Sequence, residues 1–411
     1  MSLITIRNIL IYISIIGFFF FPFYQTHVIA LGFLLTFFTG EFKDFMPSFK
    51  NNKAGVVLFV FFIIHLFSLL YSNDLSFGTK GLEIKFSFFI FPLFLPIIFH
   101  SKKININLIF KVLIFSGIGY VISSFVMGFY NYLIYNDFKY LLSSNLGFRI
   151  GQDGPFLHPT YVSIYINFIL LYIGYNFIKT KYFINKKITV LTIVLFLIFI
   201  LFSTSKIGIL LVGINVFIIL SYFAIYKNKV KKAILIFITF ISISIIGIYN
   251  SPVKGRFQEV YEQVVLKQFW NRDYCLSTQT RMMTWKASKE IIKENPYFGV
   301  GIGDIRNDLQ KKYKELGFAC LKGKGLDSHQ QFLQTFATIG ISGILTLLLL
   351  FFILFRKAIK TKNLILFSFT LFYFLFGLTE SFLETQAGIV FFTFFAILLY
   401  HNSTEKETEI F

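Results

Sequence analysis

The chain has 411 residues, 56% of them hydrophobic and only 14% charged, with a formal net charge of +19. A soluble domain is about a quarter charged and has no interior large enough for so many apolar runs. The composition therefore excludes a soluble enzyme and reads as an all-α polytopic membrane protein, whose runs of about 20 apolar residues match a hydrocarbon layer of about 30 Å.

From the N-terminus, twelve stretches have the length and hydropathy of spans: 8–24, 27–41, 55–71, 86–100, 107–131, 155–178, 188–205, 207–226, 233–250, 329–355, 363–379 and 386–400. Arg7 ahead of the first run, with the small Ala30 beyond it, imitates a cleavable leader. The many spans that follow favour a retained first helix. The organisation is thus spans one to nine over 1–250, a hydrophilic loop over 251–328, spans ten to twelve over 329–400 and a tail over 401–411.

Lys and Arg set the orientation. With the N-terminus in the cytoplasm, the cytoplasmic segments carry 20 Lys/Arg and the short outer loops 5, at Lys80, Lys85, Lys139, Arg149 and Lys206. Both termini then lie in the cytoplasm, and 251–328 is periplasmic. This bias accounts for most of the net charge without nucleic acid. The long loop holds 14 Lys/Arg against 9 Asp/Glu, an excess that suits an anionic ligand. The chain's two cysteines, Cys275 and Cys320, both fall in it, and an oxidising compartment permits the Cys275–Cys320 disulfide expected here.

Ionisable groups inside a membrane are costly, about 2.5–3.5 kcal/mol each on insertion scales, and usually mark function. The span centres here are nearly free of them, whereas a transporter carries polar groups near the midplane. Polar residues instead gather at the outer ends of spans, which points to a site at the membrane–water boundary, open to a lipid head group. In "FRIGQDGPFLHPTY" (148–161), Arg149, Asp153 and His158 form either a loop ion pair with an interfacial histidine or part of that site. In "STSK" (203–206), Lys206 either snorkels or binds an anion. In "LTESFLETQ" (378–386), Glu380 and Glu384 are four apart and expected on one helical face.

Within the long loop, "TQTRMMTWKASKEIIKENPYFGVGIGDI" (278–305) predicts an amphipathic helix capped by Thr280. Met282, Trp285, Ser288, Ile291 and Ile292 share its apolar face, and it stops before Pro296. Arg281 is expected in the first turn, a poor position for a cation, as a rim charge or an anion clamp. "GVGIG" reads as a turn, since no strand–helix context supports a dinucleotide fingerprint.

Then comes "GLDSHQQFLQTFATIGISG" (325–343), where His329 follows the N-cap types Asp327 and Ser328. On a continuous helix, Gly340 lies about 20° from His329 and Gly343 about 40° the other way. That gives a small, smooth face for close packing. The alternative is a plain polar helix opening. No metal-ligand cluster, P-loop, D-x-D or G-x-S-x-G is present, so neither a metal nor another cofactor is expected.

Together these segments resemble the O-antigen ligase and polymerase superfamily. His329-Gln330, nine residues, then Gly340-Ile341-Ser342-Gly343 matches its H-[NSQ]-x9-G-x-x-G pattern. "RMMTWKASKEIIKENPYFGVG" resembles its arginine–tryptophan helix with N-P and G-V-G. "STSKIGILL" resembles its S-R-x-x-x-L segment, with Lys206 where the family has arginine, and "RIGQDGPFLHPTY" gives Arg149 a counterpart.

The resemblance implies a GT-C-like membrane fold and an enzyme. Its expected reaction moves a glycan from undecaprenyl diphosphate to an acceptor hydroxyl on the periplasmic side of the inner membrane, without metal. The acceptor is lipid A–core in a ligase. It is another lipid-linked repeat in a polymerase, and a protein in related oligosaccharyltransferases. His329 is the expected base or acceptor-orienting group. Arg149, Lys206 and Arg281 are the expected diphosphate contacts. Glu380, Glu384, Gln330 and His158 are candidates to orient His329 or a sugar hydroxyl.

Overall fold

The computed structural model describes residues 2–21, 25–137, 157–203, 205–249, 261 and 277–403. Among the described residues every regular element is helical. The α-helices are α1 (Leu3–Phe20), α2 (Gln25–Phe37), α3 (Phe45–Asn51), α4 (Lys53–Ser68), α5 (Leu75–Lys85), α6 (Ser87–His100), α7 (Ile106–Tyr135), α8 (Pro159–Ile178), α9 (Lys186–Phe202), α10 (Lys206–Tyr226), α11 (Val230–Tyr249), α12 (Ser277–Glu294), α13 (Ile305–Glu315), α14 (Gln331–Thr361), α15 (Leu364–Gly377) and α16 (Gln386–Asn402). Each of the twelve expected apolar stretches overlaps a helix in its described residues. Among the described residues seven segments are long and apolar enough to cross a membrane by length and composition. The protein is a polytopic helical membrane protein.

Helix starts follow capping chemistry. Asn52, Asp74, Asn105, Asn185, Ser205, Asn363 and Thr385 each accept a hydrogen bond from the third residue of the helix they precede. That answers one of the four amides a helix leaves open.

The chain divides into two compact units. The described residues of Met1–Leu10, Thr26–Ile104 and Val260–Lys406 make the first; those of Ile11–Gln25 and Asn105–Glu259 make the second. In the first unit α16 is the hub, buried almost throughout, and it packs on α4, α6, α14 and α15. The α3–α6 side and the α14–α16 side thus share one apolar core. Arg7, fully buried, pairs with Glu41.

The hydrophilic segment adds a small core of its own to this unit. Met283, Ala287 and Ile291 of α12 pack with Ile305, Leu309 and Tyr313 of α13 and with Leu321. The helix begins at Ser277 rather than after Thr280; of the expected face Ser288 and Ile291 are buried, while Met283 rather than Met282 enters the core. The reason is α13, which Met283, Ala287 and Ile291 face at i, i+4, i+8 spacing. Cys320 is disulfide-bonded. Its expected partner, Cys275, lies outside the described residues.

The largest departure from expectation is in α14. It does not run continuously from His329: it starts at Gln331, and its helical geometry breaks at Ile339 and Gly340 (φ 64°, ψ −157°). The projected angles between His329 and the glycines therefore do not apply. Backbone from the "NPYFGVG" segment fills the break. Val300 and Gly301 amides donate to the Ala337 and Thr338 carbonyls at 2.9 and 2.8 Å, and the Ile341 amide donates to Pro296 O at 3.1 Å. A Cβ on Gly340 would collide with the Tyr297 carbonyl, and one on Gly299 with Thr338. Both positions also have positive φ, so glycine is required at each. The G-V-G and G-x-x-G motifs are the two halves of one backbone interlock.

The second unit is built on α7 to α11. Asn215 donates to the Asn167 Oδ1 at 2.9 Å, and Asn167 donates to Gly208 O at 3.1 Å. Gly208 lies so close to Ser163 that a Cβ there would strike it. Small residues thus bring α8 and α10 together.

Candidate functional site

The site lies in the first unit, where four segments converge: α12, the turn 325–330 ahead of α14, the segment 378–385 between α15 and α16, and the end of α5. Its frame is a set of buried polar groups under the histidine. Thr284, Ser288 and Ser328 are each fully buried. Ser288 Oγ donates to Ser328 Oγ at 2.7 Å, Ser328 Oγ donates to Gln334 Oε1 at 2.7 Å, and Thr284 Oγ1 donates to Ser328 O at 3.1 Å. Such a network fixes a turn because each lost partner leaves a desolvated group behind.

On this frame His329 adopts φ 45°, the left-handed region, where a residue with a Cβ is held at a cost of about 1–3 kcal/mol. Its neighbours enforce the conformation. The His329 amide donates to Asp327 Oδ1 at 2.8 Å, Trp285 Nε1 donates to His329 O at 3.5 Å, and the next amide, of Gln330, donates to Ser381 Oγ at 3.1 Å. Gln330 itself caps α14 through Leu333 N. Gln331 Oε1 accepts from Leu383 N at 2.6 Å, locking the 378–385 segment to the start of α14.

That segment presents Glu380, whose carboxylate is shared. Oε2 lies 3.3 Å from His329 Nδ1, and Oε1 pairs with Arg281 Nη2. Asp327 Oδ1 stands 3.6 Å from the same Nδ1. Two carboxylates at Nδ1 favour the tautomer with the proton on that nitrogen, which makes Nε2 the basic ring nitrogen.

The electrostatics agree. Burial pulls the His329 pKa down, but the Glu380 hydrogen bond and the charges of Asp327 and Glu380 outweigh it, and the net shift is upward. Burial pushes Glu380 up, yet its hydrogen bond to His329 and the Arg281 charge hold it below the usual carboxylate range. Asp327 is raised, first by burial and then by the neighbouring Glu384 and Glu380.

The expected site residues separate into groups. His329, Gln330, Arg281 and Glu380 come together. Glu384 does not share a helical face with Glu380, because Phe382–Glu384 is a 3₁₀ turn. It pairs instead with Lys85 Nζ at 2.6 Å, and Lys85, only 2% exposed, also donates to Leu383 O at 3.1 Å. Arg281 sits in the second turn of α12, so the helix dipole bears little on it. His158 caps α8, accepting from Thr160 N at 3.3 Å, and Lys206 is the first residue of α10; both belong to the second unit. Arg149 and Asp153 lie outside the described residues.

Three further residues at the site were read from the sequence in lesser roles. Asp327 had only a capping role, Trp285 was placed on the apolar face and in the arginine–tryptophan motif without a contact to His329, and Lys85 was counted only as a loop charge. A D-S-H triplet at a turn was the available signal, since Asp side chains accept from the amide two residues on.

Residues 191–348 match the family model described as O-antigen ligase. Over that segment the chain is similar to the O-antigen ligase family. The match supports the O-antigen ligase-like superfamily, as the motifs implied. It spans Lys206, Arg281, His329 and Gln330, and the interlock of Gly299 with Gly340. Arg149, Glu380 and Glu384 fall beyond the segment matched to the ligase family. No curated protein matches the sequence.

Proposed function

We propose that this protein transfers a glycan from undecaprenyl diphosphate to an acceptor hydroxyl, as an O-antigen ligase whose acceptor is lipid A–core. The Lys/Arg bias supports an inner-membrane orientation with both termini cytoplasmic and the site facing the periplasm. One observation carries the chemistry: the Glu380 carboxylate is shared between His329 Nδ1 and Arg281.

In this reading the acceptor hydroxyl approaches His329 Nε2. As its oxygen bonds to the anomeric carbon, its proton passes to Nε2 and the bond from that carbon to the diphosphate oxygen breaks. Glu380 stabilises the imidazolium that forms, in the role of the orienting carboxylate of a base–carboxylate pair. The diphosphate leaves with its negative charge, which needs cations where it develops. Arg281 has further N–H donors beyond the one given to Glu380. Arg149 and Lys206 take the same role through the family resemblance. Lys206 supplies a point charge where an arginine would supply a fork. No step requires a metal.

Deletion tests the reading. Loss of a ligase leaves lipid A–core bare while carrier-linked glycan accumulates. Attachment of single repeat units in the deletion strain would indicate a polymerase instead. Unchanged glycan ladders would refute both.

A further inference from the structure

In the second unit, a cleft of about 450 Å³ lies among α8, α9, α10 and α11. Its walls are apolar, with Leu170, Phe177, Leu197, Ile219 and Phe223 among them. Lys186, the first residue of α9, and Lys227, which directly follows α10, also line it. Chain direction puts both at the same end. Across Tyr182, which borders both spaces, is a polar cavity of about 210 Å³ that includes Asn107, Lys111, Asn176 and Lys181.

Among the described residues of α7 to α11 the charge at this end meets aromatic rings, Lys179 over Tyr175 and Lys227 over Tyr226, but no carboxylate. Residues 105–136 and 157–249 contain no Asp or Glu at all. Lys111, Lys179, Lys181, Lys186, Lys187, Lys227, Lys229, Lys231 and Lys232 sit at the ends of α7 to α11 that meet there. Among the described residues α7 to α11 carry no carboxylate, so an anion from beyond these helices is the natural counter-charge. A free anion would leave the cleft walls unfilled. An acidic protein segment would have to enter between helices of membrane-spanning character. A phosphate attached to an acyl chain satisfies both the apolar walls and the lysines.

We propose that this unit binds an anionic phospholipid, with an acyl chain in the α8–α11 cleft and the phosphate between Lys186 and Lys227. The site is independent of the glycan-transfer reading.

Native mass spectrometry of the purified full-length chain tests it, with phosphatidylglycerol and phosphatidylcholine of matched chains as probes. The expected result is preferential retention of phosphatidylglycerol. The K186Q/K227Q double variant should lose about 30-fold of that affinity, and Lys229→Gln with Lys231→Gln, outside the cleft, should lose far less. Ile219→Trp, which fills the cleft without touching charge, should also release the lipid. Circular dichroism confirms that each variant is folded. Equal losses from the two double lysine variants would reduce the effect to diffuse surface attraction and overturn the site. Binding of inorganic phosphate that survives Ile219→Trp, with no lipid preference, would overturn the lipid assignment.

Discussion

Replacing Glu380 with glutamine removes one charge with little change of shape, at the atom pair on which the catalytic reading turns. The Oε2–Nδ1 separation is 3.3 Å, and a unit charge pair at that distance is worth ~5 kcal/mol at an effective dielectric of about 20 and ~1.3 kcal/mol in bulk water. The His329 side chain is 27% exposed and that of Glu380 15%, so the pair falls between these limits. A loss of ~1.5–3 kcal/mol of transition-state stabilisation slows transfer about 10–150-fold. Arg281, freed of its partner, adds a second penalty by opposing the imidazolium. The sign of the pH effect also follows. The carboxylates raise His329 above its ordinary value, so the wild-type rate climbs with pH as the imidazole loses its proton. In Glu380→Gln that limb moves to lower pH while the plateau falls. Transfer in membrane vesicles, with a lipid-linked donor and purified acceptor across a pH series, measures both. A variant with the full rate and an unmoved limb would refute the coupling of Glu380 to His329.

Gly340→Ala should prevent folding, because Gly340 has φ 64° and its Cβ would meet the Tyr297 carbonyl; monodisperse protein at normal yield in detergent chromatography would contradict the interlock. Lys206→Arg should keep transfer, since the sign of the charge is retained and the family pattern has arginine there; an inactive variant would show the motif to be misaligned. Cys320→Ser should lower stability by about 2–4 kcal/mol, read as a fall in the melting temperature that reductant reproduces in the parent protein.

Much of the helical fabric was legible because hydropathy alone dictates it. Runs such as "TVLTIVLFLIFILF" have no alternative to a helix once every backbone group must be satisfied internally. The break in α14 was not legible. "ATIGISG" keeps its apolar character through the break, and the amides that satisfy the opened carbonyls come from Val300 and Gly301, far back in the sequence. Periodicity averages over such an event. Glu380 and Glu384 show the same limit: four-residue spacing implied one face, but a 3₁₀ turn sends one to His329 and the other to Lys85. His329 was found from its motif spacing. Its left-handed backbone, and the Thr284–Ser288–Ser328–Gln334 network beneath it, depend on side chains from two helices and have no one-dimensional signature.

The most direct test of the account is glycan transfer by His329→Ala, complemented into a deletion strain and normalised to protein in the membrane. The account predicts no transferred glycan on the acceptor, with normal insertion and an intact melting transition. A full glycan ladder from that variant would contradict it.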